Sequence, residues 1–215
     1  MSSDVHVPRP SDRSTRLLES SPDALEAFAH PRRSTALSVL RERERPLSVS
    51  ELATEIVARE TAVRPPSVDE RERTAVCVSL HHAHLPKLAD CGAVEWDRAS
   101  RDVSIADDAR RWVASVLESE LADPACCQAL ANPRRRSVLA ALLEFDEPVS
   151  TTVLAGAVGA HERDDAGAVT PAARERIAVS LHHADLPLLE TAGLLEYDHE
   201  AKRVDPSTMA SVVSR

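Results

Sequence analysis

The apolar residues of the chain recur at helical spacing in short segments separated by prolines, glycines and polar caps. The sequence S-P-D at 21–23 predicts a helix start, because a capping side chain precedes a proline and an acid. A second helix is predicted to begin at His30, with Leu37 and Leu40 on its buried side. Pro46 is expected to end that helix, because proline removes a backbone donor.

A third helix is predicted to begin at Ser48, where the hydroxyl and the Glu51 carboxylate form a capping box. Leu52 and Ile56 lie on one side of this helix and predict its apolar face. Residues 61–69 follow and are polar and rich in proline, so they predict a loop.

A long helix is predicted over residues 70–90, with Val78, Leu85 and Leu88 facing the core. Pro86 lies inside this helix, so we expect a kink there. A glycine then predicts the C-terminal cap, and two strand-like pieces joined by a turn predict a small β-hairpin.

The same series of elements occurs twice. The twenty residues that begin at Val78 and the twenty that begin at Val179 are identical at 12 positions, where chance gives about one. The upstream blocks recur in the same order, so residues 21–106 and 126–206 are predicted to be two copies of one domain. The rest of the chain is assigned to a disordered tail (1–20), a linker helix (107–125) and a second tail (207–215).

The linker helix has one apolar side formed by Val113, Val116, Leu117 and Leu121. An amphipathic helix between two domains needs a surface on which to bury that side. We therefore expect it to dock on a neighbouring domain, or to hold a homodimer or a protein partner through residues 107–122.

The charge balance is acidic and contains almost no lysine. The chain has 26 basic and 35 acidic residues, a net charge of −9, and only Lys87 and Lys202 as lysines. This composition is typical of a haloarchaeal cytoplasm, where an acidic surface keeps a protein soluble in concentrated salt. No apolar run is long enough to cross a bilayer and no signal peptide precedes the first domain, so a cytoplasmic location is expected.

Three helices followed by a hairpin are the layout of a winged-helix domain. The sequence H-L-P-K-L-A-D-C-G-A-V from His84 resembles the end of the recognition helix of ArsR-type regulators, although its internal proline departs from their pattern. H-P-R-R-S-T-A-L resembles their opening helix, with Arg33 and Arg135 matching its arginine. N-P-R-R-R, S-L-H-H-x-x-L-P and G-x-x-E-Y-D together resemble an uncharacterised haloarchaeal winged-helix domain family.

This resemblance implies a mainly α fold with small β-hairpins, arranged as tandem duplicated winged helix-turn-helix domains. It also implies a transcriptional regulator that binds double-stranded DNA, since a recognition helix of this type enters the major groove. The residues expected to contact DNA are Arg71, Arg73, Thr74, Ser79, His81, His82, Lys87, Arg98 and Arg101 in the first copy, and Arg174, Arg176, Ser180, His182, His183, Lys202 and Arg203 in the second.

Two other interpretations of these residues stay open. Adjacent histidines point about 100° apart, so one of each pair can pack inside while the other faces DNA. The arginines at 32–33 and 134–136 either contact phosphate or pair with acids such as Glu51 or Glu144.

Two further function classes compete with DNA regulation. A protein-interaction or signalling adaptor fits the acidic balance, because winged helices also bind proteins. A metal- or redox-responsive regulator is suggested by Cys77, His81, His82 and His84, but the second copy lacks the cysteine and has Asp185 in place of His84. Neither a glycine-rich phosphate loop nor a nucleophile elbow occurs, so we expect no enzyme activity and no cofactor or bound metal.

Overall fold

A computed structural model describes residues 21–43, 45–118, 123–163 and 169–206. The predicted tails at 1–20 and 207–215, and Leu121 of the linker, lie outside the described residues. The described residues form two compact units that divide within the helix Pro124–Leu130: one spans Asp23–Gln128 and the other begins at Ala129. That helix is described with the second unit, because it opens the second repeat.

The first unit is mainly helical and contains one small antiparallel sheet. The three strands pair in the order β1-β3-β2, with Leu47 opposite Val103 and Val94 opposite Ile105. The elements are α1 (Pro22–Phe28), α2 (Pro31–Arg41), β1 (Leu47–Ser48), α3 (Val49–Glu60), a 3-10 turn (Pro65–Ser67), α4 (Glu70–Ser79), a π-helical turn (Leu80–His84), α5 (Leu85–Asp90), β2 (Val94–Trp96), β3 (Asp102–Ile105), a 3-10 turn (Asp107–Ala109) and α6 (Arg110–Leu117).

The second unit repeats this architecture. Its sheet has the order β4-β6-β5, with Val204 opposite both Val149 and Tyr197. The elements are α7 (Pro124–Leu130), α8 (Pro133–Leu142), β4 (Val149–Ser150), α9 (Thr151–His161), α10 (Pro171–Ser180), a π-helical turn (Leu181–Asp185), α11 (Leu186–Thr191), β5 (Tyr197–Asp198) and β6 (Arg203–Val204).

Local signals explain where the helices of the first unit begin. His30 caps α2 by accepting a hydrogen bond from the backbone N–H of Arg32. Ser48 and Glu51 form the predicted capping box of α3. The helix α2 ends at Arg41, five residues before the proline that was expected to stop it.

The long helix runs through residues 70–90 as predicted, but its proline is accommodated by a π-helical turn. The N–H of Leu85 donates to the carbonyl of Leu80, five residues back. Pro86 has no N–H to donate, so the extra residue avoids the clash that an uninterrupted α-helix would create. The second unit has the same turn before Pro187.

This turn changes which side chains face the core. Val76, Leu80, Leu85 and Leu88 are buried, whereas Val78 is 54% exposed. The prediction that Val78 packs in the core is therefore wrong. A π-helical turn adds one residue, and so shifts the α-helical phase that placed Val78 in line with the leucines.

The first strand of each sheet was not expected. The predicted hairpin is present in each unit, but a two-residue strand from before α3 or α9 pairs alongside it. The N–H of Val49 also donates to the carbonyl of Arg101. Such a short strand forms because it pairs with a strand about fifty residues away, so its own two residues do not predict it.

The linker helix α6 docks on its own unit. Val113 and Val116 are buried, and the Trp112 ring meets the Phe28 ring edge-on at 6.4 Å. Val113 and Val116 are thus covered by the first repeat, which is the domain next to the linker, as the first of the two alternatives expected. Within the described residues, no helix is both long and apolar enough to span a membrane.

Candidate nucleic-acid interface

The long helix of the first unit presents one continuous solvent-exposed side, which we call the outer face. It consists of Arg71, Thr74, Ala75, Val78 and His82, all of which are exposed. These positions lie three or four residues apart and so share one side of the helix. The face offers a guanidinium, a hydroxyl, an apolar methyl pair and an imidazole to the solvent.

The outer face of the second unit has partly different chemistry. Its corresponding residues are Ala172, Glu175, Arg176, Val179 and His183, again all exposed. Valine and histidine are kept at their positions, while the three positions before them differ. An arginine is thus available on both faces, but it lies about one turn later in the second unit.

Four of the predicted DNA contacts point elsewhere and make contacts inside their own unit. Arg73 donates to the hydroxyl of Ser50 at 2.6 Å. Ser79 accepts a hydrogen bond from Arg32, and Ser180 donates to the carboxylate of Asp185 at 2.9 Å. The guanidinium of Arg174 lies 3.4 Å from the position that a Cβ at Gly156 would occupy. Arg73, Ser79 and Arg174 thus contact other helices of their unit, whereas the Ser180 bond lies within the long helix itself.

A stack of rings joins the long helix to the hairpin in the first unit. The His81 ring meets the Trp96 ring edge-on at 5.1 Å, and the Arg98 guanidinium lies 4.9 Å above the Trp96 ring. His82 contacts His81 at 4.8 Å and is exposed on the outer face. Both rings are exposed, so neither histidine of this pair packs inside, and His81 lies against the hairpin while His82 lies on the outer face.

The second unit builds the same connection from other residues. His182 hydrogen-bonds to the Tyr197 hydroxyl, and the Tyr197 ring lies 4.5 Å from the His199 ring. His183 contacts His182 at 4.5 Å. Glu190 accepts a hydrogen bond from the Tyr197 N–H and pairs with His199. The aromatic residue in the hairpin was a signal that the sequence contained, in E-W-D and E-Y-D, but no role was predicted for it.

The hairpin tips carry basic residues in an unusual backbone conformation. Arg101 and Lys202 occupy equivalent positions and have φ values of 63° and 52°. Few residues other than glycine adopt this left-handed region. Both side chains are exposed. Two other predicted DNA contacts have partners within their own unit: Arg203, on the second hairpin, donates to the carbonyl of Pro148, and Lys87, on α5, pairs with Glu26 at 2.6 Å.

The arginines that open α2 and α8 make structural contacts. Arg33 donates to the carbonyls of Ala27 and Glu26 at 3.1 and 2.7 Å, which satisfies the end of α1. Arg32 pairs with Glu60 at 2.8 Å. The second unit matches this pattern with Arg134 on Glu162 and Arg135 on the carbonyl of Ala129.

The acids that were expected to hold these arginines have other partners. Glu51 pairs with Arg45 at 2.8 Å, and Glu144 pairs with His161 at 3.0 Å. The arginine hydrogen bonds and the Ser48 cap together hold the pKa of Glu51 near 2. The prediction of an arginine–acid pair therefore holds for Arg32 and Arg134, but with different acids.

One buried position differs in chemistry between the units. His84 is 7% exposed, its ring lies 4.5 Å from His30, and its Nδ1 has no hydrogen-bond partner. Burial and the nearby cations lower the pKa of His84 to about 4. The second unit has Asp185 at this position, which accepts the Ser180 hydroxyl and faces Arg135.

The cysteines and histidines of the metal hypothesis do not converge. Cys77 directs its thiol at the carbonyl of Val49, and His84 points into the core. In the described part of the chain, no three His, Cys, Asp or Glu side chains form a group that could hold a metal ion. Burial raises the pKa of Cys126 to about 11 and that of Cys127 to about 12, so both thiols are protonated near neutral pH.

Comparison with known protein families gives two consecutive matches along this chain. A family model described as a domain of unknown function, DUF7344, covers residues 25–104 and again 127–205. The chain belongs to this family. The two DUF7344 matches confirm the tandem duplication, and each contains one complete long helix and hairpin. No curated protein and no solved structure matches the chain.

Proposed function

We propose that the protein is a DNA-binding transcriptional regulator in which each repeat acts as a winged-helix domain. The observation that carries the proposal is the exposed outer face beside a hairpin whose turn presents an exposed cation, Arg101 or Lys202, which occurs in both repeats. The long helix would enter the major groove, and the hairpin would lie along the phosphates as the wing.

The side chains of the outer face suit base recognition. Arg71 has no side-chain hydrogen bond or ion pair within the described residues, so its guanidinium is available to a guanine edge. Thr74 and His82 add groups that contact bases or phosphates. The Arg98 guanidinium and the exposed Arg101 place positive charge at the hairpin.

The acidic balance of the chain is compatible with this role in concentrated salt. At molar ionic strength the release of counterions adds little to binding, so base contacts and shape supply a larger share of the affinity. The protein is thus expected to bind DNA with a weaker salt dependence than a basic regulator shows.

The proposal is tested by selecting DNA from a random-sequence pool with the full chain in molar KCl. The affinity for the selected site is then measured by fluorescence anisotropy. We expect a defined sequence to emerge. Replacing Arg71 and His82 together by alanine should weaken binding to it by at least about tenfold, because both groups are proposed to contact bases or phosphates.

Arg110→Ala is the matched control. It removes the same charge from an exposed arginine on α6, a helix outside the proposed interface, and should leave the affinity within about twofold. Failure to enrich any sequence, or equal losses for the two variants, would contradict the proposal.

A second candidate function, protein binding, is favoured by the surface of the second repeat. Val153 replaces Glu51 and is 54% exposed, and Leu188 replaces Lys87 and is 46% exposed. The second repeat also has fewer basic residues, 8 in 126–206 against 12 in 24–106. A stoichiometric protein partner that is lost on Leu188→Lys, with no DNA selected, would favour this alternative.

A further inference from the structure

The two outer faces share an exposed valine that packing does not require. Val78 is 54% exposed and Val179 is 55% exposed, at the same position of each repeat. Valine is a poorer helix former than alanine, because its branched side chain loses rotamer freedom. A valine that is more than half exposed in a helix therefore costs some stability and gains less from burial than a core valine does.

The outer-face residues before this valine have changed between the repeats, while the valine and the five residues that follow it have not. Arg71, Thr74 and Ala75 correspond to Ala172, Glu175 and Arg176, so charge and size differ at all three positions. The histidine one turn later, His82 or His183, is unchanged and exposed in both. The outer face thus has a shared part, the valine and the histidine, and a part before it that differs, which indicates one contact common to both repeats and other contacts that are specific to each.

Resting on the proposed function, we infer that Val78 and Val179 each contact the C5-methyl group of a thymine in the major groove. That methyl is the apolar group that the major-groove edge of a base pair offers, and small apolar side chains are its usual partners. The two half-sites would then share a T·A pair at the same place. Their flanking bases would differ, because the arginine of the outer face precedes Val78 by seven residues and Val179 by three.

The test substitutes 2′-deoxyuridine for thymine, one position at a time, in the DNA site selected by the full chain. This change removes the methyl and keeps every hydrogen-bonding group of the base. We expect one position in each half-site at which deoxyuridine weakens binding by about fourfold, the effect of burying one methyl. Val78→Ala should abolish the sensitivity in one half-site, and Val179→Ala should abolish it in the other.

Val153→Ala is the matched control, since it removes the same two methyls from a valine that is 54% exposed on α9. It should leave both deoxyuridine effects intact. Circular dichroism would establish that each variant is folded before its affinity is compared, and tryptophan emission would add a check on Val78→Ala, since Trp96 and Trp112 both lie in the first unit.

The outcomes of this experiment test the valine–thymine contact separately from the proposed DNA binding. A selected DNA site that tolerates deoxyuridine everywhere, or whose sensitivity persists in both valine variants, would overturn the thymine contact and leave DNA binding standing. Failure to select any site would overturn both. Loss of each deoxyuridine effect in its own valine variant would establish the contact.

Discussion

At the scale of single residues, the position of His84 shows how one fold holds two different polar groups in its core. The first repeat places His84 against His30, with Arg32, Arg33 and Glu60 nearby. The second repeat has Asn132 and Asp185 at the two histidine positions. Asp185 is hydrogen-bonded and faces an arginine, whereas the Nδ1 of His84 has no partner. The fold of the first repeat therefore favours the neutral form of His84 over the protonated form.

This difference predicts an acid-sensitive first repeat. The pKa of His84 falls from an ordinary 6.5 to about 4 in the fold, so the unfolded chain binds the proton more readily between these values. Stability is full above the unfolded pKa and declines as the pH falls from about 6.5 towards 4. Urea unfolding followed by tryptophan emission reports on the first unit, because Trp96 and Trp112 both lie there. His84→Gln should flatten the decline over this range.

The wild-type chain measured in parallel is the reference for the His84→Gln variant. The two chains should differ in the slope of unfolding free energy against pH, whatever the absolute stability of the variant. Equal slopes would show that the His84 side chain does not titrate differently in the folded state.

At the scale of elements, the π-helical turn decides what the long helix exposes. The turn adds one residue between Leu80 and Leu85. Because of this residue, the buried side chains before the turn (Val76 and Leu80) and those after it (Leu85 and Leu88) all face the core. Without the turn, one of these two sides would rotate towards solvent. The outer face with Val78 and His82 is a direct product of this change in phase.

Removing both the added residue and the proline should therefore preserve the core. We predict that deleting Ala83 in a Pro86→Ala background yields a regular helix and retains cooperative unfolding, since Leu80 and Leu85 become four residues apart. Deleting Ala83 alone should cost about 3 kcal/mol more, because the proline ring then meets a carbonyl inside a regular helix. Urea titrations of both variants, followed by tryptophan emission, compare the two free energies of unfolding.

Deleting Ala75 from α4 in the same Pro86→Ala background is the matched control. This deletion leaves the π-helical turn in place and moves the residues before it out of phase, so it should destabilise strongly. Equal unfolding free energies for the two deletions would contradict the role assigned to the turn.

The helix starts could be predicted because their signals are local. The capping box at Ser48 and Glu51, the cap at His30 and the long helix over 70–90 all follow from residues within a few positions of one another. The duplication was equally readable, since it needs only the comparison of the chain with itself.

The parts that could not be predicted depend on distant partners or on helix phase. The strand at Leu47 exists because Val103 pairs with it, and neither residue signals the other. A single helical period drawn through residues 70–90 placed Val78 with the leucines, because it could not anticipate the extra residue of the turn. Likewise, Arg73 and Ser79 share a helix with the outer face, yet their direction follows from α2 and α3 packing beside them.

At the scale of the whole molecule, the proposed function implies that two repeats on one chain bind DNA as a linked pair. Linking two weak binding modules makes the second binding event intramolecular and raises the overall affinity without any new contact. The first repeat has 12 basic and 13 acidic residues over 24–106, and the second has 8 and 13 over 126–206. The first repeat is therefore expected to contribute more of the DNA affinity.

Substituting the outer-face residues of one repeat at a time measures how much each repeat contributes to the DNA affinity. We predict that replacing Arg71 and His82 by alanine weakens binding to the selected site more than replacing Arg176 and His183 does. Either change should cost about a hundredfold if both repeats engage the DNA together. Anisotropy titrations on the complete site and on each half-site make the comparison. A second-repeat variant that binds like wild type would assign DNA binding to the first repeat alone.

The proline-backed π-helical turn has a consequence for the history of the gene. Both repeats carry it at the same position, with the same leucine, histidine and proline residues around it. The turn was therefore present in the ancestral single-domain protein before its gene was copied. A one-repeat ancestor would already have displayed the valine and the histidine. After the duplication, the outer-face positions before the valine diverged between the two repeats, while both repeats stayed on one chain.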